Sequence, residues 1–221
     1  ADVSELAWET LERIAPIFPS SSELRLEDLL KRPNKPDRDH AFRVLRSISR
    51  EWVEAGCQHI ESLMKEEEVD LRRRSAKLLR IITERGGAVG WDLIAWALED
   101  TDPNVRSSGA DCLPRLASVE PRIAAILVEA SLGEKNSTVR MKILRAIKSL
   151  DMQNPRVAKL VIDGAGDQDI RLRKACIDQL SVVLTGTDLR ETAGQLARTE
   201  KDPDLKRRLE APAFDPEMED D

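Results

Sequence analysis

Two histidines are the side chains of this sequence best suited to holding a transition metal. His40 is followed by Ala41, whereas His59 is followed by Ile60 and then by Glu61, a carboxylate that could join a small ligand set. Histidines of this kind are far more often surface or core residues than ligands. We therefore predict no metal site and no cofactor.

Three cysteines, Cys57, Cys112 and Cys176, lie far apart, each within an apolar stretch. An odd number of cysteines without paired spacing argues against a disulfide framework and against a zinc site. We therefore expect small buried thiols in a reducing compartment, which predicts a cytoplasmic protein.

Basic side chains recur along the chain, each group beginning just after an apolar residue near the start of a helical segment. The bases that lead these groups are Arg72, Arg73, Arg106, Arg140, Lys142, Arg173 and Lys206. A row of guanidinium and ammonium groups could bind the carboxylates of an acidic protein segment, or phosphates. The alternative is that these bases hold the turns between repeats or lie on a solvated face.

The elements that position these bases form a repeat. An apolar residue precedes the leading base of each copy, and we call this residue the anchor of the repeat. The anchors are Leu71, Val105, Val139, Leu172 and Leu205, spaced 34, 34, 33 and 33 residues apart. Each unit continues with apolar residues at helical spacing, then a turn rich in Gly, Pro, Asp and Asn, then a second helical segment. Because one short pair cannot bury its own apolar face, neighbouring pairs must stack. This predicts an all-α fold, a right-handed α-solenoid of stacked antiparallel helix pairs.

The repeats divide the chain into three predicted parts. Residues 37–213 hold about five helix pairs and a truncated C-terminal copy, the first pair being weaker, with His40 near the anchor position. Residues 1–36 form an N-terminal helical cap, and residues 214–221 form an acidic tail. Pro114, inside the first helix of its pair, predicts a local kink there.

Composition and charge narrow the possible partners. Charged residues make up 34% of the chain and aromatic residues only 3%, with no tyrosine, which favours helices over strands. No apolar run approaches the length of a membrane span. The formal charge is −6, but the tail carries five acids, so the remaining chain has 36 acidic residues against 35 basic ones. A nearly neutral body is a weak electrostatic attractant for nucleic acid, which we do not expect as a partner.

The period, the helix pairs and the opening "DPNVR" at 102–106 resemble HEAT repeats, in particular the short HEAT-like repeats of the phycobilin-lyase type. The resemblance implies that the Asp and Arg of this opening are structural and tie the turn of a repeat to its neighbour. Asp102 and Arg106 match this pattern fully, and Asp202 and Lys206 match it with a conservative change.

HEAT-like proteins also include enzymes, and their signatures can be compared with this chain. The iron-dependent hydroxylases of this kind carry repeated pairs of adjacent His and Glu residues. Neither His40 nor His59 is followed by Glu, so this chain does not match that pattern. Alkylpurine DNA glycosylases use aromatic residues and an Asp, for which the candidates here are Trp91, Trp96 and Asp92. Trp91 instead fits a packed helix face, whereas Trp96 falls off that face.

The sequence thus predicts a non-enzymatic protein-binding scaffold or adaptor, with no catalytic residue, whose partner is a protein, possibly presenting an acidic segment. The alternative is a HEAT-like enzyme or nucleic-acid-binding module, similar to an alkylpurine DNA glycosylase or a bilin lyase. The candidate partner-binding residues are Arg72, Arg73, Arg106, Arg140, Lys142, Arg173, Lys206 and Trp96.

Overall fold

The computed structural model describes residues 3–15, 17, 26–84, 90–150 and 155–211. These residues form fourteen bounded helices, with a further helical stretch at 26–30, and contain no β-strand. The predicted all-α class is therefore confirmed. Every helix in the described ranges is too short or too polar to cross a lipid bilayer.

Packing contacts divide the chain into two compact units, residues 1–115 and residues 116–221. The helices of the first unit are α1 (Val3–Ile14), α2 (Lys35–Glu51), α3 (Val53–Met64), α4 (Val69–Ala76), α5 (Leu79–Glu84) and α6 (Trp91–Glu99). Helix α7 (Pro103–Val119) begins in the first unit and ends in the second. The helices of the second unit are α8 (Pro121–Ala130), α9 (Ser137–Leu150), α10 (Pro155–Ala165), α11 (Ile170–Ile177), α12 (Leu180–Val183), α13 (Gly186–Thr199) and α14 (Pro203–Leu209).

Successive repeats stack on one another within each unit. In the first unit α2 packs on α5, the continuation of the first helix of the next repeat, and α3 packs on α6. In the second unit α11 packs on α9 and on α14, which are the first helices of the neighbouring repeats. This like-on-like contact is the arrangement that a fixed period predicts, because each repeat presents the same apolar face to the next.

The apolar stripe of α9 shows why the sequence forms this packing. Val139, Ile143, Leu144 and Ile147 are all buried, at positions that follow the helical period. Leu150, at the end of the helix, is half-buried. Burial of a branched aliphatic side chain contributes about 1.5–3 kcal/mol, so one such stripe supplies much of the stability of a repeat interface.

Side-chain caps begin the first helices of four repeats. The carboxylates of Asp102, Asp169 and Asp202 and the amide oxygen of Asn136 accept backbone N–H groups from the first turn of the helix that follows, at 2.9–3.2 Å. Each cap satisfies donors that the helix itself leaves unpaired. The caps therefore fix where each repeat begins.

Among the described first helices, two are interrupted, whereas α2, α7 and α9 are continuous. Two-residue breaks separate α4 from α5 and α11 from α12. At each break a backbone N–H donates to the carbonyl three residues earlier instead of four. These bonds are Leu78 N–H to the Ser75 carbonyl and Gln179 N–H to the Cys176 carbonyl, both at 2.9 Å. Helix α7 continues through Pro114 without such a break. The kink expected at Pro114 stays a prediction.

The three cysteines are buried and free. Burial raises the pKa of the Cys57 thiol to about 11 and that of the Cys176 thiol to about 12. The predicted boundaries at residues 36 and 213 stay predictions, and the acidic tail 214–221 lies outside the described residues.

Candidate functional site

In four repeats, an arginine at the same repeat position binds the backbone of its own turn. Arg38, Arg72, Arg106 and Arg173 each donate a hydrogen bond to the carbonyl oxygen six residues earlier, at 2.8–3.0 Å. Arg38 lies 34 residues before Arg72, so in the first pair it occupies the position of the arginine that follows the anchor, close to His40, which the sequence pattern places near that anchor. These guanidinium groups close the turn between repeats.

Two of these arginines, Arg72 and Arg173, together with Arg140 at the same repeat position, also pair with carboxylates of the next repeat, and we name these contacts the repeat-turn ion pairs. They are Arg72–Asp100, Arg140–Asp167 and Arg173–Glu200. Arg72 Nε donates to Asp100 Oδ2 at 2.8 Å, and Arg173 Nε donates to Glu200 Oε2 at 2.9 Å. Because these side chains are largely buried, their interactions are screened less by salt than surface ion pairs are.

Each of these carboxylates is held by the backbone two residues ahead. The N–H groups of Asp102, Asp169 and Asp202 donate to Asp100, Asp167 and Glu200 respectively, at 2.7–2.8 Å. These carboxylates are therefore fixed on one side by the following turn and on the other by an arginine.

Hydrogen bonding sets the charge state of these acids. The N–H of Asp169, and then Arg140, lower the pKa of Asp167 against the effect of burial. Burial on its own would raise the pKa of Glu200, but the Asp202 N–H and the Arg173 guanidinium outweigh it, and the pKa falls below its usual range. Both acids are thus held in the charged form that the ion pairs need.

The capping Asp102 connects neighbouring repeats in a second way. Its carboxylate accepts from Arg73 Nη2 at 2.6 Å and Arg73 Nε at 2.9 Å, and it also caps α7. The hydrogen bond from Arg73 and the N–H groups of Val105 and Asn104 lower the pKa of Asp102 to about 2. Asp102 and Arg106 therefore connect turns as the resemblance implies, Asp102 by binding Arg73 and Arg106 by binding the backbone of its own turn.

The structure separates the predicted partner-binding residues by their surroundings. Arg72, Arg140 and Arg173 take part in the repeat-turn ion pairs, and Arg73 and Arg106 hold turns. Lys142 is half-buried, and Lys206 is exposed on α14. Binding of a partner at these positions stays a prediction.

Trp96 presents its indole to solvent on α6. The residue is 42% exposed, and Lys65 Nζ lies 5.1 Å from the ring centroid, within cation–π range. Lys65 is held by Glu61, four residues earlier, at 2.8 Å. Trp91, by contrast, is half-buried, and Asp92 is exposed at the start of the helix.

A basic cleft between α2 and the α4–α5 segment is a feature that sequence reasoning missed. It encloses about 540 Å³. Its bases are Arg43, Arg46, Arg50, Arg74, Lys77 and Arg80. The rest of its lining is apolar, from Phe42, Leu78 and Ile81, together with one acid, Asp39. The signal in the sequence was the spacing of three and four residues between the arginines of α2, which places them on one helix face.

The two histidines lie beside aromatic, basic or acidic side chains. His40 stacks on Trp8, with ring centroids 5.0 Å apart, and contacts Arg43. His59 is buried, with Nδ1 3.6 Å from a carboxylate oxygen of Glu27. Within the part of the chain that the structure describes, no three His, Cys, Asp or Glu side chains converge as metal ligands would.

Comparison with known proteins identifies the repeats. Residues 91–181 match the family model described as HEAT repeats. The crystal structure of an engineered protein from the Northeast Structural Genomics Consortium has a similar fold, with a TM-score of 0.56 and 17% identity, covering 84% of this chain and 92% of that one. No curated protein matches the sequence.

These findings show an all-α protein in which residues 91–181 match HEAT repeats. The match is to HEAT repeats in general and does not single out the phycobilin-lyase type. Likeness to the engineered protein at this identity bears on the fold alone.

Proposed function

We propose that this protein is a non-enzymatic scaffold or adaptor that holds a partner protein in the cytoplasm. Stacked helical repeats present extended surfaces that commonly bind other proteins. The observation that carries the proposal is Trp96, an exposed indole within the residues that match HEAT repeats. The three buried, free thiols are compatible with a reducing compartment.

Trp96 has the properties of a residue that dominates a protein interface. Tryptophan is enriched among such residues because it buries a large apolar area with few rotatable bonds. The Lys65 ammonium over its ring adds a cation at the rim of the same surface. Truncation of a dominant interface residue costs at least about 2 kcal/mol, which is roughly 30-fold in affinity.

The buried bases of the repeat-turn ion pairs are less suited to contact a partner. Reversing the charge of Arg72, Arg140 or Arg173 would place a glutamate against Asp100, Asp167 or Glu200, respectively. Such a variant tests folding rather than binding. A test of function therefore belongs at an exposed side chain.

The experiment compares the immobilised full chain with its Trp96→Ala variant in a cell lysate, followed by mass spectrometry and measurement of affinity for the captured protein. The matched control is Trp52→Ala, because Trp52 is 49% exposed, much like Trp96. We expect Trp96→Ala to lose the partner while Trp52→Ala retains it, with equal helicity by circular dichroism. Equal capture by wild type and Trp96→Ala, or no capture above bare resin, would overturn the proposal.

A further inference from the structure

The basic cleft concentrates positive charge in a protein whose net charge is negative. Six bases and one acid line it, whereas the whole chain has 35 bases and 41 acids. A cleft with this lining attracts anions locally even though the molecule as a whole does not.

Some of this charge is already neutralised. Arg74 pairs with Asp39 and Asp70, and Arg43 pairs with Glu12 at 2.9 Å. The hydrogen bond from Arg74 lowers the pKa of the Asp39 carboxyl, so that this one acid of the cleft is charged and neutralises Arg74.

Three bases of the cleft have no such neutralising group. Arg46, Arg50 and Lys77 are exposed, and no carboxylate among the described residues pairs with any of them. Arg46 and Arg50 are four residues apart on α2, where like charges repel and destabilise a helix. An anionic ligand would relieve that repulsion.

The floor of the cleft decides between classes of anion. Ile81, which is half-buried, provides apolar surface beside the three bases, whereas Leu78 is buried. Phe42 is buried, with the Arg74 guanidinium 5.3 Å from its ring centroid, so it offers no free face on which a nucleobase could stack. A floor that is apolar and a rim that is basic fit a peptide with acidic and apolar side chains better than a nucleic acid backbone.

We propose that the basic cleft binds an acidic segment of a partner protein. Carboxylates of that segment pair with Arg46, Arg50 and Lys77, while an apolar side chain packs on the half-buried Ile81. This inference rests on the proposed scaffold function and names the chemistry of one partner.

The experiment uses the full chain and a fluorescein-labelled peptide, Glu-Asp-Asp-Leu-Phe-Glu-Glu-Ile-Asp-Asp, in fluorescence anisotropy titrations at low salt. The cleft variant is Arg46→Glu, Arg50→Glu and Lys77→Glu combined. The control, Lys148→Glu, Lys174→Glu and Arg198→Glu combined, makes the same change in net charge at three other exposed bases. A milder variant, with glutamine at the three cleft positions, repeats the test with half the charge change.

We expect the cleft variant to lose roughly tenfold to hundredfold in affinity, since each exposed pair contributes modestly and reversal adds repulsion. The control should retain wild-type affinity within about threefold. A second peptide, with serine in place of Leu, Phe and Ile, should bind more weakly than the first. Added salt should weaken all of these complexes.

Three results would overturn the inference. They are equal affinity of wild type and cleft variant, equal affinity of the two peptides, and tighter binding of a labelled twelve-nucleotide single-stranded DNA that the cleft variant abolishes. If wild type and the cleft variant bind the peptide equally while capture of a partner still depends on Trp96, the inference about the cleft is refuted and the scaffold proposal stands.

Discussion

Replacement of Arg173 by methionine is the sharpest test of the repeat-turn ion pairs. The Arg173 side chain is 17% exposed and the Glu200 side chain 4% exposed. Arg173 donates to both carboxylate oxygens of Glu200, at 2.9 and 3.2 Å, and to the carbonyl of Asp167 at 3.0 Å. Methionine keeps the apolar stem and removes all of these hydrogen bonds.

The expected loss of stability follows from what remains around Glu200. Removing one partner of a buried ion pair costs about 3–5 kcal/mol when the other charge is left without compensation. Glu200 keeps hydrogen bonds from the N–H groups of Lys201 and Asp202, both at 2.8 Å, so the lower part of that range applies. We expect a loss of about 3 kcal/mol, or roughly 6–12 °C in Tm for a chain of this size.

The assay is urea unfolding at pH 7 followed by circular dichroism, with Arg171→Met as the matched control. Arg171 lies on the same helix, but its side chain is 77% exposed and pairs with the nearby Asp169, so its loss should cost below about 0.5 kcal/mol. A Glu200→Gln change added to Arg173→Met should recover part of the loss, because a neutral amide needs no counter-charge.

The dependence on pH gives a second check. Because the folded-state pKa of Glu200 is depressed, the pair adds stability above the unfolded pKa, near 4.5, and loses it as the pH falls through the lower folded value. The difference between wild type and Arg173→Met should therefore narrow in acid. If Arg173→Met and Arg171→Met have the same effect at pH 7, the structural role of the pair is refuted.

Three further predictions concern caps, packing and thiols. Asp102→Ala should cost about 1–2 kcal/mol in urea unfolding at pH 7, and Asp102→Asn less, because asparagine still caps; the gap between wild type and Asp102→Asn should close as the pH falls from 3.8 towards 2, and a gap that persists contradicts the assigned charge. Gly164→Ala should lose about 1–3 kcal/mol, since a Cβ there meets Cys176 Sγ, whereas Gly194→Ala, which faces open space, should gain up to about 1 kcal/mol; equal effects would show that the close approach does not matter. At pH 8, Cys57 and Cys176 should react with a disulfide reagent only as fast as the protein opens, and rapid labelling without urea would refute their burial.

The fold was predictable because its signal is repeated. One copy of the pattern, such as that beginning at Val139, is ambiguous, but five copies at nearly constant spacing are not. The buried residues of α9 follow the apolar spacing of the sequence as far as Ile147, because apolar residues at helical spacing lie on one face of the helix and that face packs against the neighbouring repeats. The first pair was harder to align from the sequence, because His40 was placed near its anchor, whereas the residue in register with Arg72 is Arg38.

The site was less predictable, because the partner of a charge is a property of three-dimensional proximity. The arginines were chosen as contact residues for their charge, and the carboxylates that neutralise them lie 27 or 28 residues later. The recurrence of an acid two residues before each cap, at Asp100, Glu134, Asp167 and Glu200, was present in the sequence as a clue. The basic cleft has no such long period, since it arises from one face of α2 meeting a different helix.

The cap and the repeat-turn ion pair also determine how this chain can gain or lose length. Each arginine takes its carboxylate from the next repeat, so the pairing depends on register and not on which copy supplies the acid. Excision of residues 137–169, one full period, would join Asn136 to Ile170, give α11 a new cap and leave Arg173 beside Glu200. We therefore expect the removal of a whole period to be tolerated and the insertion of a fraction of a period to disrupt the pairing.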